Sequence, residues 1–394
     1  MTTGKAIHYG FIGCGMMGQE HIANAALAGA GVSVVFEPDT GMRLATNKRL
    51  AQVGLPPVRF VQSMLAVLTA PDVDALVITS PNHCHADQLA EIVQFAQKSG
   101  RALPILVEKP VCTSLTDAAK LKAIQTQYPA PIWVAMEYRY MPPIAELISQ
   151  AHAGKHTGEA VMLSIREHRY PFLRKVNDWN RFNSNTGGTL VEKCCHFFDL
   201  MRLIMQDDPV RLYASGSQNH NHVQEVYGGK KPDILDNAFV VLDFPRGRRA
   251  LLELCMFAEG SRYQEEISLV GPLGKLECSV PGPGRFWSAT LGAAPVAQLV
   301  VSPRVWDDRN EKPLDQISGP QTLHIPVDAA LLAAGDHNGS TFYQHQNFLG
   351  SVRNQAPVAV TLDDGIKAVT IGLAAEQSAK LGIAIDLTSG DYQL

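Results

Sequence analysis

The run Gly13-Cys14-Gly15-Met16-Met17-Gly18 constrains the fold of this chain more than any other feature. It sits between the apolar stretch Ile7–Ile12 and a helix-like pattern, Met17–Ala28. In that setting each glycine has a separate task. The first permits a tight turn, the second lets main chain approach a pyrophosphate, and the third allows close helix–strand contact. The phosphates then meet the N–H groups and positive dipole end of a helix N-terminus. Gly13, Gly15, Met16, Met17 and Gly18 are therefore expected to bind a dinucleotide. GxGxxG alone is a weak signal; its strand–turn–helix context makes it strong.

The next apolar run, Val32–Phe36, leads into Glu37, 19 residues after Gly18. A carboxylate there accepts hydrogen bonds from the adenosine ribose hydroxyls and repels a 2′-phosphate, so NAD is expected over NADP. Arg43 keeps NADP binding open. The alternative for Glu37, with Pro38 and Asp39, is capping of the following helix.

Up to about residue 135 short apolar runs alternate with helical patterns. Further runs lie at Ala75–Ile78, Ile105–Val107 and Ile132–Ala135, and further helices at Gly41–Gln52, Ala86–Lys98 and Ser114–Gln127. Such alternation predicts a doubly wound α/β Rossmann domain with a parallel sheet covered on both faces. After about residue 145 strands follow one another directly: Val161–His168, Arg211–Gly216, Asn237–Phe244, Arg249–Met256 and Glu266–Val270. Hairpin joints are expected at Pro245-Arg246-Gly247 and Gly271-Pro272-Leu273-Gly274. One helix, Leu190–Met205, interrupts these strands. The expected organisation is a nucleotide domain over 1–140 and an α+β domain with an open, mostly antiparallel sheet over 141–394. Residues 280–320, rich in Pro and Gly, are expected to loop out, and a last helix, Asp364–Leu381, to pack on either domain.

Composition narrows the partners. The formal charge is −4 with Lys and Arg spread along the chain, which sets nucleic acid aside. No stretch approaches about twenty uninterrupted apolar residues, so no membrane span is expected. The opening residues run straight into a strand and the glycine turn, without the pattern of a secretory leader. Seven cysteines with no CxxC fit a reducing compartment. A cytoplasmic protein is expected.

Three further motifs follow in order: Thr79-Ser80-Pro81-Asn82-His83-Cys84-His85, Glu108-Lys109-Pro110, and Gly187-Gly188-Thr189-Leu190-Val191-Glu192-Lys193-Cys194-Cys195-His196-Phe197-Phe198-Asp199. With the glycine turn, this combination resembles the Gfo/Idh/MocA family of glucose–fructose oxidoreductase and inositol dehydrogenase, over nearly the whole chain. The resemblance implies action on sugars, polyols or their derivatives with NAD or NADP. It also implies homodimers or homotetramers formed through the C-terminal sheet. It assigns the family's lysine to Lys109 and its histidine to His196. Where the family carries Asp, four residues before the histidine, this chain has Glu192, one methylene longer; Cys194 replaces the usual glycine. These departures place the substrate, not the reaction class, in question.

An unbroken helix would put Glu192, His196 and Asp199 on one face. An imidazole titrates near physiological pH, so His196 is expected to accept the hydroxyl proton as hydride leaves the carbinol carbon. Lys109 would stabilise developing charge on oxygen, and Glu192 would orient the imidazole or a neighbouring hydroxyl. A helical ion pair explains Asp199 about as well. Cys194-Cys195-His196 does not make a metal site: adjacent residues on a helix diverge by about 100°, and no second ligand pair has zinc-like spacing. Ser80, Pro81, Asn82 and Glu108 are expected beside the cofactor. His83 and His85 either line its nicotinamide side or cap the next helix.

Candidates for substrate contact are Tyr138, Arg139, Arg166, His168, the Asp178-Trp179-Asn180-Arg181 loop with Trp179 as an aromatic platform, and the group Asp336, His337 and Tyr343. The bland alternatives are that Trp179 anchors a loop and Arg139 makes a structural ion pair. The leading function is an NAD-dependent sugar or inositol-type dehydrogenase. The rivals are an NAD-dependent glycoside-cleaving enzyme using transient oxidation at C3, and a non-catalytic dinucleotide-dependent sensor.

Overall fold

The computed structural model describes residues 6–305 and 318–394. They form two compact units, neither continuous in sequence. The first comprises residues 6–140, 175–187 and 329–370; the second comprises 141–174, the described part of 188–328, and 371–394.

In the first unit β1 (His8–Ile12), β2 (Gly31–Phe36), β3 (Phe60–Val61), β4 (Ala75–Ile78), β5 (Ile105–Val107) and β6 (Ile132–Val134) form a parallel sheet. Its order is β3-β2-β1-β4-β5-β6. Every residue of β4, β5 and β6 is buried, as a sheet covered on both faces requires. The crossovers are α1 (Met16–Leu27), α2 (Thr40–Gln52), α3 (Met64–Leu68), α4 (His85–Ser99) and α5 (Leu115–Gln127). Their ends follow capping chemistry. Asp39 accepts from Met42 N at 2.7 Å, Ser114 from Asp117 N at 3.1 Å, and Gly100 closes α4 in the left-handed region. The strand order reverses between β1 and β4, and their carboxyl ends make the crevice where such sheets bind ligands.

The second unit is built on β7 (Met162–His168), β8 (Arg211–Ser217), β9 (Asn237–Asp243), β10 (Arg249–Cys255), β11 (Glu265–Gly271), β12 (Gly274–Val280), β13 (Gln298–Pro303), β14 (Gln321–His324) and β15 (Ile385–Asp386). They form one nine-stranded sheet ordered β14-β13-β12-β11-β7-β10-β9-β8-β15. Only β7 and β10 pair in parallel. Both expected hairpins are present. The β9–β10 joint has Arg246 and Gly247 at φ 64° and 73°, the consecutive left-handed residues that match strand twist. This unit also holds α6 (Pro142–Ala153), α8 (Thr189–Glu192) and α9 (Cys195–Met205), while α7 (Asn183–Thr186), α10 (Ala329–Ala334) and α11 (Ser340–Val352) belong to the first unit.

Three expectations change. Residues 280–320 do not simply loop out: β13 extends the sheet, because Leu299 and Val301 alternate into the core; residues 306–317 lie outside the described residues. The helix expected over Leu190–Met205 is interrupted at Lys193-Cys194. The last helix, α12 (Leu362–Leu381), is divided: residues to Thr370 belong to the first unit and those from Ile371 to the second. No helix among the described residues is long and apolar enough to cross a membrane.

Candidate functional site

In the first unit the glycine turn and the loop after β4 meet at the switch point. Thr79 Oγ1 donates to Gly13 O at 2.7 Å. Gly13 has φ 90°, and a Cβ there would lie 2.7 Å from Ser80 N, so neither backbone nor space admits a side chain. A Cβ on Gly18 would meet Thr79 Oγ1 at 2.8 Å, which is the close helix–strand approach expected of the third glycine. Gly15 faces open space and caps α1 without a side-chain hydrogen bond, leaving the N-terminal N–H groups of the helix available; Met16 beside it is exposed and Met17 half-buried.

Glu37 is buried, and its two oxygens accept from Cys14 N and Asp39 N, each at 2.9 Å. Each carboxylate oxygen keeps a second acceptor direction. The cap of α2 is Asp39, not Glu37. Arg43 Nε donates to Glu37 O at 2.6 Å, and its guanidinium lies 5.6 Å from the Phe60 ring centre. Asn82 is buried with no hydrogen-bond partner for Nδ2. An uncapped helix N-terminus, an open glycine, and an orphaned donor in the loop that meets the glycine turn fit a bound dinucleotide, which would supply the missing acceptors.

His85 is fully buried and its ring nitrogens face main chain. Its ring nitrogens lie 2.8 Å from Pro110 O and 2.9 Å from Ser80 O, so the side chain ties the loop after β4 to the loop after β5. Burial lowers its basicity. The Lys109–Pro110 peptide is cis. Glu108 is buried: one oxygen lies 2.7 Å from His21 Nε2 and the other accepts Lys109 N at 3.1 Å.

The loop carrying Trp179 belongs to this unit. The Trp179 ring centre is 5.9 Å from that of His83, and Lys175 Nζ is 4.6 Å from it, so the proposed aromatic platform and the cofactor loop come together. Asn177 and Asp178, both left-handed, shape that loop, and Asn180 and Arg181 within it are buried. His337 Nδ1 lies 2.8 Å from Glu20 Oε1, and its other nitrogen lies 4.0 Å from Glu137 Oε1. Burial pushes Glu137 up to about 7, and Glu108 adds to the shift. Tyr138 is buried. Arg139 donates to Ala359 O at 2.9 Å and pairs with Asp364 at 3.7 Å, which is the structural alternative.

Gly187 and Gly188, at φ 78° and 99°, lead into α8, and Gly188 is the first residue of this stretch that belongs to the second unit. Glu192, His196 and Asp199 are all buried. Because α8 ends at Glu192 and α9 begins at Cys195, the spacing rule for an unbroken helix does not set the face that Glu192 shares with His196. Cys194 and Cys195 are fully buried, burial pushes the Cys194 thiol well up, and both pack as core residues. Among the described residues no group of three or more His, Cys, Asp or Glu is arranged to hold a metal.

Arg166 and His168 are not brought to this helix. They alternate onto the opposite face of β7 from Glu167, where Arg166 pairs with Glu266 and His168 lies 3.0 Å from Glu253. Sequence reasoning missed Glu167 and Lys193, both buried and 2.9 Å apart. The available signal was a charge on the inward phase of the Leu163–Ile165–Glu167 alternation.

Comparison with known proteins finds matches for both parts of the chain. The profile described as "Oxidoreductase family, NAD-binding Rossmann fold" matches residues 7–136, and "Oxidoreductase family, C-terminal alpha/beta domain" matches residues 155–387. The rhizopine catabolism protein MocA of Rhizobium meliloti is 26% identical over 210 residues, 53% of this chain and 60% of that protein. Inositol 2-dehydrogenase 2 of Saccharopolyspora erythraea is 26% identical over 299 residues, 74% of this chain and 79% of that one. The structure of levoglucosan dehydrogenase in complex with NADH and levoglucosan superposes with a TM-score of 0.75 at 17% identity, covering 98% of this chain and all of the other. That last likeness concerns the fold.

Proposed function

Since the chain belongs to the Gfo/Idh/MocA oxidoreductase family, we propose that it is an NAD-dependent dehydrogenase acting on a secondary alcohol of a sugar, sugar derivative or inositol-type polyol. The observation carrying this reading is the arrangement at the carboxyl ends of β1, β2 and β4: an uncapped α1 N-terminus, the orphaned Asn82 amide in the loop after β4, and the Glu37 carboxylate after β2. Bound nicotinamide would accept the hydride.

The chain's own groups handle the proton and the charge. His196 takes the hydroxyl proton, Lys109 stabilises the oxygen as negative charge develops, and Glu192 orients the imidazole or an adjacent hydroxyl. Trp179 offers an apolar ring to the carbon face of a polyol, and His337 a polar contact. Glu37 disfavours a 2′-phosphate. Two relatives at low identity bear names that support the substrate class, inositol 2-dehydrogenase and levoglucosan dehydrogenase. The uncovered face of the nine-stranded sheet exposes Met162, Tyr213, Phe239, Val241 and Val270, and a homodimer or homotetramer formed through that face would bury them.

The test is calorimetric titration with NAD and NADP, followed by a panel of inositols, pyranoses and anhydrosugars read by nicotinamide absorbance. Preferential NAD binding and NADH formation with at least one polyol are expected. No dinucleotide binding and no response to any polyol would overturn the proposal.

A further inference from the structure

The inward face of the nine-stranded sheet carries a charge cluster with no part in the chemistry above. Glu167 on β7 and Glu265 on β11 stand directly opposite each other in the antiparallel ladder, both at 0% exposure. Lys193 is buried, its Nζ 2.9 Å from Glu167 Oε1, and Arg169 lies 3.7 Å from the same oxygen. Gln264 donates to Glu265 at 2.6 Å. The cost of taking charges this far from water can exceed what their attraction returns, and apolar residues of similar volume often stabilise as well. A role other than stability is therefore the economical account of the pair.

Lys193 stands in the interruption between α8 and α9. Thr189 O receives both Lys193 N at 3.0 Å and Cys194 N at 3.4 Å, so one turn is widened by a residue. Cys194 O then receives both Phe197 N and Phe198 N at 2.9 Å as α9 begins. Glu192 is the last residue before the interruption, and His196 lies in the first turn after it. An apolar side chain could fill the same volume in either a regular or a widened turn. An ammonium held on one carboxylate selects a single arrangement.

We propose that the Lys193–Glu167 ion pair is a positioning device: it pins the widened turn between α8 and α9 and thereby sets where the Glu192 carboxylate and the His196 imidazole point. This rests on the reading of those two residues as the reacting groups.

The test compares K193M, K193R and the double variant K193M/E167Q. K193M removes the ammonium from the two facing carboxyl groups, leaving Arg169 at 3.7 Å from Glu167, and is expected to unfold more readily. The double variant removes both charges and is expected to retain the fold, shown by a thermal transition near that of the natural chain, and to bind NAD unchanged. Its kcat is expected to fall roughly tenfold to a hundredfold, with K193R recovering part of the loss. The His196 imidazole titration, followed by NMR without substrate, is expected to shift in the double variant. A folded double variant with natural kcat and an unshifted His196 titration would overturn the proposal. If the natural chain oxidises no polyol, the enzymatic reading fails, while the substrate-free titration still decides whether the pair positions His196.

Discussion

The imidazole of His21 lies 2.7 Å from the carboxylate of Glu108, both side chains buried. His21 belongs to α1, whose N-terminus follows the glycine turn, and Glu108 also holds the main-chain N–H of Lys109. The helix assigned to the pyrophosphate is thus tied to the residue assigned to the reacting oxygen. Burial alone would raise Glu108, but the hydrogen bond and charge of His21 bring it below the ordinary value. On its other side His21 meets His345 at 3.0 Å, and the ring of Tyr9 stacks on His345.

Replacing His21 by Leu should leave Glu108 buried without its main partner. A loss of about 3–5 kcal/mol is expected by urea unfolding, with H21L/E108L recovering part of it. Because Glu108 is depressed in the folded state, its contribution is present above the unfolded carboxyl value and lost as pH falls through the folded one. An H21L chain as stable as the natural one would show that the pair is not important for folding.

Glu37 holds the glycine turn and carries the charge expected to exclude NADP. E37Q keeps the size and removes the charge. The ratio of NADP to NAD dissociation constants should fall roughly tenfold, equivalent to about 1.4 kcal/mol. An unchanged ratio would move cofactor selection elsewhere.

Gly188 combines φ 99° with a position where a Cβ would lie 2.3 Å from Glu376 Cδ. Glu376 in turn accepts Leu190 N at 2.8 Å. G188A should lose roughly 1–3 kcal/mol through backbone strain, and more if the acid cannot move. Pairing G188A with E376A should relieve the steric part only; thermal unfolding of the three variants separates the two.

Glu265 is pushed up to about 7, first by burial and then by Glu167. Between the ordinary value of 4.5 and that figure, the folded chain binds more protons here than the unfolded one. This contribution is full below the lower value and is lost as pH rises through the upper one. Relative to E265Q, the stability of the natural chain should fall across that window, by up to about 1.4 kcal/mol per pH unit. Parallel stability curves for the two chains would refute the assignment.

His196 to Asn should reduce turnover roughly 10²–10⁴-fold while NAD affinity stays near its natural value. Steady-state kinetics beside calorimetry reads both quantities. Turnover at the natural level would remove His196 from the proton's path.

Much of the fold was legible because its signals are local. Apolar runs of the β4 and β5 type, separated by capped helices, are written in windows of about ten residues. Gly13 and Gly18 declare their turn through steric needs that no other residue meets. Alternation along β7, β9 and β10 and the Arg246-Gly247 joint were readable for the same reason.

Long-range partnership was not written that way. The local pattern of Leu190–Met205 promised one helix, and it took a carboxylate 26 residues upstream, Glu167, to meet Lys193 inside the turn that breaks it. Trp179 and His337 joined the unit of His83 and Glu20 through contacts across about a hundred and three hundred residues of chain, which no periodicity encodes. By itself the sequence determined the elements, the glycine turn and the residue types available for chemistry, since each follows from backbone sterics and nearest neighbours. Only the tertiary structure decided which buried charges face each other, because the burial that makes such pairing obligatory exists only once distant strands and helices have closed around them.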